Sequence, residues 1–122
     1  MATFTEARRT GSYILSEANG TRSREDLVIA SGAGVLEPGT VLGKITAVGA
    51  NQGKYAPYDD TADDGTEAAA AILYQAVDAT ATDAKAVGHV RDCEVAELRL
   101  VGIDAAAKVD LAALGVLVRS AE

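Results

Sequence analysis

The chain has 122 residues, 48% of them hydrophobic and 24% charged, with a formal net charge of −7, which fits one compact domain plus a short tail and rules out a multidomain machine. The summed negative field repels phosphate backbones and anionic lipid, so the reading is no nucleic acid and no membrane partner. A single cysteine, Cys93, excludes an internal disulfide and a cysteine-rich zinc site.

No run approaches the roughly 20 apolar residues that span a bilayer, and the first 25 residues lack the apolar stretch of a signal peptide, so a soluble, non-secreted protein is expected. The apolar fraction leans on alanine, with aromatics at only 4%. A monomer of this size then has a thin core and gains by burying surface against neighbouring chains.

Residues 1–25 carry mainly Thr, Ser, Arg, Glu and Gly, with one apolar cluster at Tyr13, Ile14 and Leu15. That is too little to bury against a core of its own, and the segment reads as a mobile arm before a domain spanning residues 26–122. Its charge differs from the rest: Arg8, Arg9, Arg22 and Arg24 outnumber Glu6, Glu17 and Glu25, whereas the remainder carries seven cations against fifteen acids. A chain beginning near Glu25 is expected to fold unchanged.

From Asp26 onward short apolar runs alternate with glycine-rich turns, the texture of a small β-rich fold. Leu27, Val28, Ile29 and Ala30 form the first strand. In Glu37-Pro38-Gly39-Thr40 proline and then glycine occupy the two central positions of a type II turn. Residues 41–48 read as a strand, and residues 54–58 as a short extended piece whose Pro57 suits an edge. Residues 59–66 form a polar loop. Residues 67–77 are open between helix, which four consecutive alanines favour, and a strand buried on both faces. Residues 78–83 read as a turn and residues 85–95 as one strand with Val87, His89 and Arg91 on one side. The clear helix follows Asp104 as N-cap, with Ala107, Leu111 and Leu114 on one face and Gly115 at its end, before a strand at residues 116–119.

The candidate chemistry is sparse. Asp59, Asp60, Asp63, Asp64 and Glu67 are the densest oxygen-ligand cluster, but placing Gly65 at the sixth position of an EF-hand loop puts Ala62 and Ala71 where carboxylates belong. His89, the only histidine, lies four residues from Cys93. On one strand they stand about 13 Å apart, at about 3.3 Å per residue, too far for a catalytic dyad. There is neither a dinucleotide-binding nor a P-loop glycine pattern, so no catalytic, cofactor or metal residue is assigned and the chain reads as no enzyme. The alternative is a small biotinyl- or lipoyl-type carrier domain. Its best candidate, Asp83-Ala84-Lys85-Ala86, inserts a residue between Asp and Lys and lacks the Met context.

Several phrases together resemble the head decoration protein D family of tailed bacteriophages, the lambda-type capsid cement proteins. They are LEPGTVLG (36–43), GKYAPYDD (53–60), DGTEAAAAIL (64–73), AVDAT (76–80), VRDCEV (90–95) and LAALGVLVR (111–119). The resemblance implies a mainly β, β-clip-like domain with one short helix, trimeric on the outside of an icosahedral head and stabilising the capsid at three-fold sites of the major capsid protein. It implies strand for residues 67–77, and a protein of the virion surface, held in the host cytoplasm during assembly. It also implies an N-terminal arm that is disordered when free and adds a strand to the capsid protein. On that reading Ser12, Tyr13, Ile14, Leu15 and Glu17 lie in the added strand, which binds through main-chain groups. Arg8 and Arg9 face acidic capsid loops.

The carrier and decoration readings separate by intact mass. After co-expression with a biotin or lipoate ligase, the chain is expected to keep its unmodified mass at Lys85, and addition of a prosthetic group would favour the carrier.

Overall fold

The computed structural model describes residues 10–18 and 22–120. It is mainly β with a single short α-helix, as the sequence pattern predicts. The strands are β1 (Ile14–Glu17), β2 (Arg24–Ile29), β3 (Gly34–Leu36), β4 (Val41–Lys44), β5 (Tyr55–Pro57), β6 (Ala69–Leu73), β7 (Val77–Ala79), β8 (Ala84–His89), β9 (Cys93–Ala96) and β10 (Val116–Arg119). A 3-10 turn at Glu97–Arg99 and the helix α1 (Ala105–Ala113) join the last two. Strands β2-β5-β4-β6-β8 close into a barrel, β1-β9-β10 form a second sheet, and β3 and β7 pair as a two-stranded ribbon.

Strand β6 explains the architecture. Its sequence AAAIL has no polar residue because both faces are covered. Ala71 and Leu73 join Leu27, Ile29, Leu42 and Ala86 in one buried cluster, while Ala69 and Ile72 join Tyr13, Val95, Leu111 and Val116 in another. Simple alternation would put Ala69 with Ala71. A register shift between Leu42 and Gly43, opposite Ala71 and Ala69, leaves Ala70 as an extra residue and moves Ala69 to the face of Ile72. On the partner strand Val41 and Leu42 divide between the same two clusters.

Two turns show why local sequence was informative. Thr40 N–H donates to the Glu37 carbonyl at 3.2 Å and Gly39 has φ +92°, the arrangement expected of Pro-Gly at the turn centre. A Cβ on Gly39 would also collide with the Arg99 carbonyl, so this turn can approach the 3-10 segment only as glycine. At the helix start Asp104 accepts from Ala107 N–H at 2.8 Å and also from the Tyr58 hydroxyl at 3.0 Å. Burial and then this bond to Asp104 push the Tyr58 pKa up to about 12. The cap therefore ties α1 to the chain leaving β5. Asp110 of the same helix accepts from Ala69 N–H at 3.0 Å, fixing α1 to β6.

Three expectations are corrected. The strand predicted over residues 41–48 ends at Lys44, because Thr46 and Ala47 turn to the Asp64 carbonyl at 2.8 and 3.1 Å and leave Val48 93% exposed. The single strand predicted over residues 85–95 is two: the chain leaves the barrel after His89, turns at Asp92 with φ +52°, and enters the second sheet at Cys93. Finally, the boundary placed after residue 25 does not follow the packing. Strand β1 pairs antiparallel with β9, β2 begins at Arg24, and Tyr13 and Ser23 are both fully buried. Deleting a buried aromatic side chain costs roughly 3–5 kcal/mol, a large part of the stability of a domain this size. A chain beginning at Glu25 would lack Tyr13, and the expectation of unchanged folding is withdrawn.

Replacing Asp104 with alanine removes the cap of α1 and the acceptor of Tyr58 together. The urea midpoint is expected to fall by an amount equivalent to about 2 kcal/mol, with Asp104→Asn less affected because Asn also caps.

Candidate functional site

The N-terminal part of the described chain is the region the sequence singled out, and the structure builds it around His89. Strand β1 lies on β9 with Ile14 opposite Val95, Ser16 opposite Glu94 and Glu17 opposite Cys93. Ala96 N–H donates to the Tyr13 carbonyl at 2.8 Å, extending the pairing by a residue. Tyr13, just before β1, and Glu17, its last residue, both reach the barrel. There they meet His89 at the end of β8.

The hydrogen bonds run in one line. The Tyr13 hydroxyl lies 2.6 Å from His89 Nδ1, and His89 Nε2 lies 2.5 Å from the Glu17 carboxylate. With the ring proton on Nε2, His89 donates to Glu17 and accepts from Tyr13, so every polar atom of the imidazole is used. Arg24, first residue of β2, closes the line: Nη2 donates to Glu17 Oε1 at 2.8 Å and Nε to Oε2 at 3.2 Å, a two-point contact between planar groups. The Arg24 guanidinium also sits 4.3 Å from the centre of the Tyr74 ring, which in turn lies 5.7 Å from the imidazole. Tyr13 meets the imidazole edge-on at 5.5 Å. Gly11 N–H donates to the Tyr74 carbonyl at 2.9 Å, so the chain is tied down on both sides of Tyr13.

Electrostatics follow burial. Loss of water around His89 pulls its pKa below the usual histidine value, with Glu17 opposing and Arg24 reinforcing the shift. The bond from Arg24 holds the Glu17 carboxyl below its ordinary range, helped by His89. Burial raises the Tyr13 hydroxyl far above the ordinary tyrosine value, with the neighbouring Cys93 adding to the effect. Cys93 is itself pushed up to about 11 by burial. A tyrosine, histidine and carboxylate in line look superficially like a catalytic relay, but Tyr13 and His89 are both 0% exposed, so a substrate has no path to them. The arrangement orders the chain; it does not activate a nucleophile.

The sequence-stated binding residues divide accordingly. Arg8 and Arg9 lie outside the described residues. Ser12 and Ile14 are half-buried, Tyr13 is buried, and Glu17 is held by His89 and Arg24. Only Leu15, 43% exposed, presents a large apolar side chain to solvent from β1. His89, Arg24 and Tyr74 were missed as companions of Tyr13 and Glu17, because their meeting depends on β1 pairing with β9 rather than on any spacing in the chain.

The acidic loop is equally local. Asp59 accepts from Thr61 N–H at 3.0 Å and its hydroxyl at 2.7 Å, and Asp64 does the same with Thr66 at 3.0 and 2.6 Å. Asp78 repeats the pattern with Thr80. Three D-x-T triplets in the sequence were the available signal for these turns. Each carboxyl is held below its ordinary value by the threonine two residues on. Among the described residues no group of three or more acidic, His or Cys side chains is arranged to hold a metal ion.

Comparison with known proteins decides the class. A model of the family described as bacteriophage lambda head decoration protein D matches residues 3–117. The chain belongs to that family. The match spans the barrel, β1, β9 and the first two residues of β10, and extends N-terminally beyond β1. Membership makes it a capsid decoration protein, a structural component of the phage head rather than a member of an enzyme family. No curated protein matches the chain.

The pH dependence of the His89 line has a definite sign. A histidine whose folded pKa is depressed contributes stability above the unfolded value of about 6.5 and loses it as pH falls through the folded value. Glu17, also depressed, adds a second loss at lower pH, below the ordinary carboxylate range. Thermal melting of the wild-type protein is expected to drop as pH is lowered from 7 to 5. His89→Gln should flatten that drop.

Proposed function

We propose that this protein decorates and stabilises the outside of an icosahedral phage head, binding as trimers at three-fold sites of the major capsid protein lattice. The observation that carries the reading is the family match over residues 3–117. Physical features support it. The chain's tyrosine–histidine–carboxylate line is buried and holds the fold together, which suits a module whose task is to bind. Val35, Leu98 and Val109 are strongly exposed besides Val48, and the core is built largely from Ala, Val, Leu and Ile, so burying surface between copies would add what a small core lacks.

In this reading the N-terminal region supplies the capsid contact. Among the described residues strand β1 is an edge of its sheet, with β9 on one side, so its other side would be open to strand addition. Leu15 would be the apolar side chain buried there. Arg8 and Arg9 would meet acidic groups of the capsid protein, each exposed pair worth only about 0–1 kcal/mol. The role proposed for Tyr13 and Glu17 is narrower than direct contact, since both are already committed within the domain.

The test uses heads that lack the protein. Purified protein is expected to saturate expanded heads, with density at the three-fold positions, and to leave unexpanded heads bare. A chain lacking residues 1–9 keeps all the described contacts and should fold with an unchanged melting temperature, yet bind these heads weakly. Full occupancy by that shortened chain would remove residues 1–9 from the proposed interface.

A further inference from the structure

The one histidine of the chain sits where three parts of the fold meet, and the decoration role does not by itself require it. We propose that His89 is a positioning residue: it locks strand β1 to the barrel and so fixes the point, at residues 10–13, from which the N-terminal segment sets out toward its partner. This rests on the proposed capsid contact and adds to it a structural device that sets where that contact begins.

The argument is geometric. Strand β1 has only four residues and, among the described residues, one neighbouring strand, β9, with a register shift in the pairing between Ile14 and Ser16. So short a ladder, disturbed at its centre, holds an edge strand weakly. What adds rigidity lies across the sheet boundary. His89 belongs to β8 of the barrel and holds Tyr13 with one ring nitrogen and Glu17 with the other, gripping β1 at its beginning and its end. Arg24 of β2 takes the remaining Glu17 oxygen, and Tyr74, following β6, backs both Arg24 and the imidazole. Three barrel strands therefore converge on one short edge strand.

Among the described residues the charged or titratable groups that face this imidazole are Glu17 and Tyr13 from the N-terminal segment, Arg24 from β2 and Tyr74 after β6. Cys93 of β9 touches the set through Tyr13, and the Ile72 carbonyl of β6 lies 3.4 Å from the Tyr13 hydroxyl. Residues 18 and 23 add a second tie, because Ser23 Oγ accepts from Ala18 N–H at 3.0 Å and donates to the Asp92 carbonyl at 2.7 Å. That tie holds the far end of β1. At the near end the bonds from Gly11 N–H to the Tyr74 carbonyl and from Ala96 N–H to the Tyr13 carbonyl hold the main chain, and the His89 line adds the side-chain grip on Tyr13.

The experiment compares full-length wild type, His89→Phe, and the double variant Tyr13→Phe with His89→Phe. Phenylalanine keeps an aromatic ring against Tyr13 and Tyr74 but removes both hydrogen bonds, and the double variant removes the hydroxyl that His89→Phe leaves short of a partner. Amide hydrogen exchange is read at Ile14, Tyr13 and Glu17 and, for the barrel, at Ile29 and Leu42. Affinity for decoration-free expanded heads is measured in parallel at pH 7.5 and pH 5.5.

At pH 7.5 both variants are expected to exchange the β1 amides faster by roughly tenfold or more, the effect of losing about one net hydrogen bond, while the barrel amides hold their protection. Their head affinity should fall by a comparable factor. In wild type the same selective exposure and weakened binding should appear on acidification, and in the variants the acid effect should be absent. The proposal is overturned if β1 exchanges only in step with the barrel in all three proteins, since His89 is then an ordinary core residue. It is also overturned if β1 loosens selectively without loss of head affinity. Failure of the wild type to bind heads at all would refute the decoration reading instead. The exchange data alone would then decide whether His89 locks β1.

Discussion

Strand β6 must be buried on both faces, and most of the fold is a response to that constraint. Five residues, none polar, separate the inside of a small barrel from the layer formed by α1 and the second sheet. Alanine at three of the five positions lets both layers approach closely, which is how a chain poor in aromatics still excludes water from two compartments. The bulge at Ala70 sets which alanine serves which compartment. Gly43, its neighbour on β4, allows the acidic loop to cross: a Cβ there would stand 2.5 Å from Thr66 Cα. The loop read from sequence as solvated acid is therefore anchored at its end by a close backbone approach and by Asp-Thr turns.

A second layer built this way is thin, and its N-terminal edge is fastened by polar rather than apolar contacts. Burying an imidazole, a phenol and part of a carboxylate is costly unless every donor and acceptor is matched. Here each is matched, and no buried side-chain nitrogen or oxygen among the described residues lacks a partner. The benefit of a polar fastening is directional. An apolar patch would tolerate β1 sliding by two residues, whereas the spacing between Tyr13 and Glu17 fits His89 in one register only.

Among the described residues some ionisable groups are buried in the fastening, Tyr13, His89 and Cys93, and others are engaged by local turns, Asp59, Asp64 and Asp78. The surface also carries scattered exposed valine and leucine, among them Val35, Val48, Leu98 and Val109.

Composition and short-range pattern were enough to determine the mainly β class, the Pro-Gly turn at residues 37–40, the Asp104 cap and the helix it starts, because each depends on neighbours within four residues. Motif order along the chain was enough to indicate the family. Four features were decided only by the tertiary structure. Residues 85–95 divide between two sheets because Asp92 turns the chain, and no periodicity distinguishes a long strand from two short ones that continue in a new layer. Ala69 and Ala71 face opposite cores because a bulge intervenes. The apparent arm contributes a core tyrosine because β9, some 80 residues away in sequence, offers it an edge. His89 meets Glu17 across a sequence separation of 72 residues. Such long-range pairings leave no local trace: each partner's sequence satisfies many possible neighbours, and only the closed packing of the whole chain selects one.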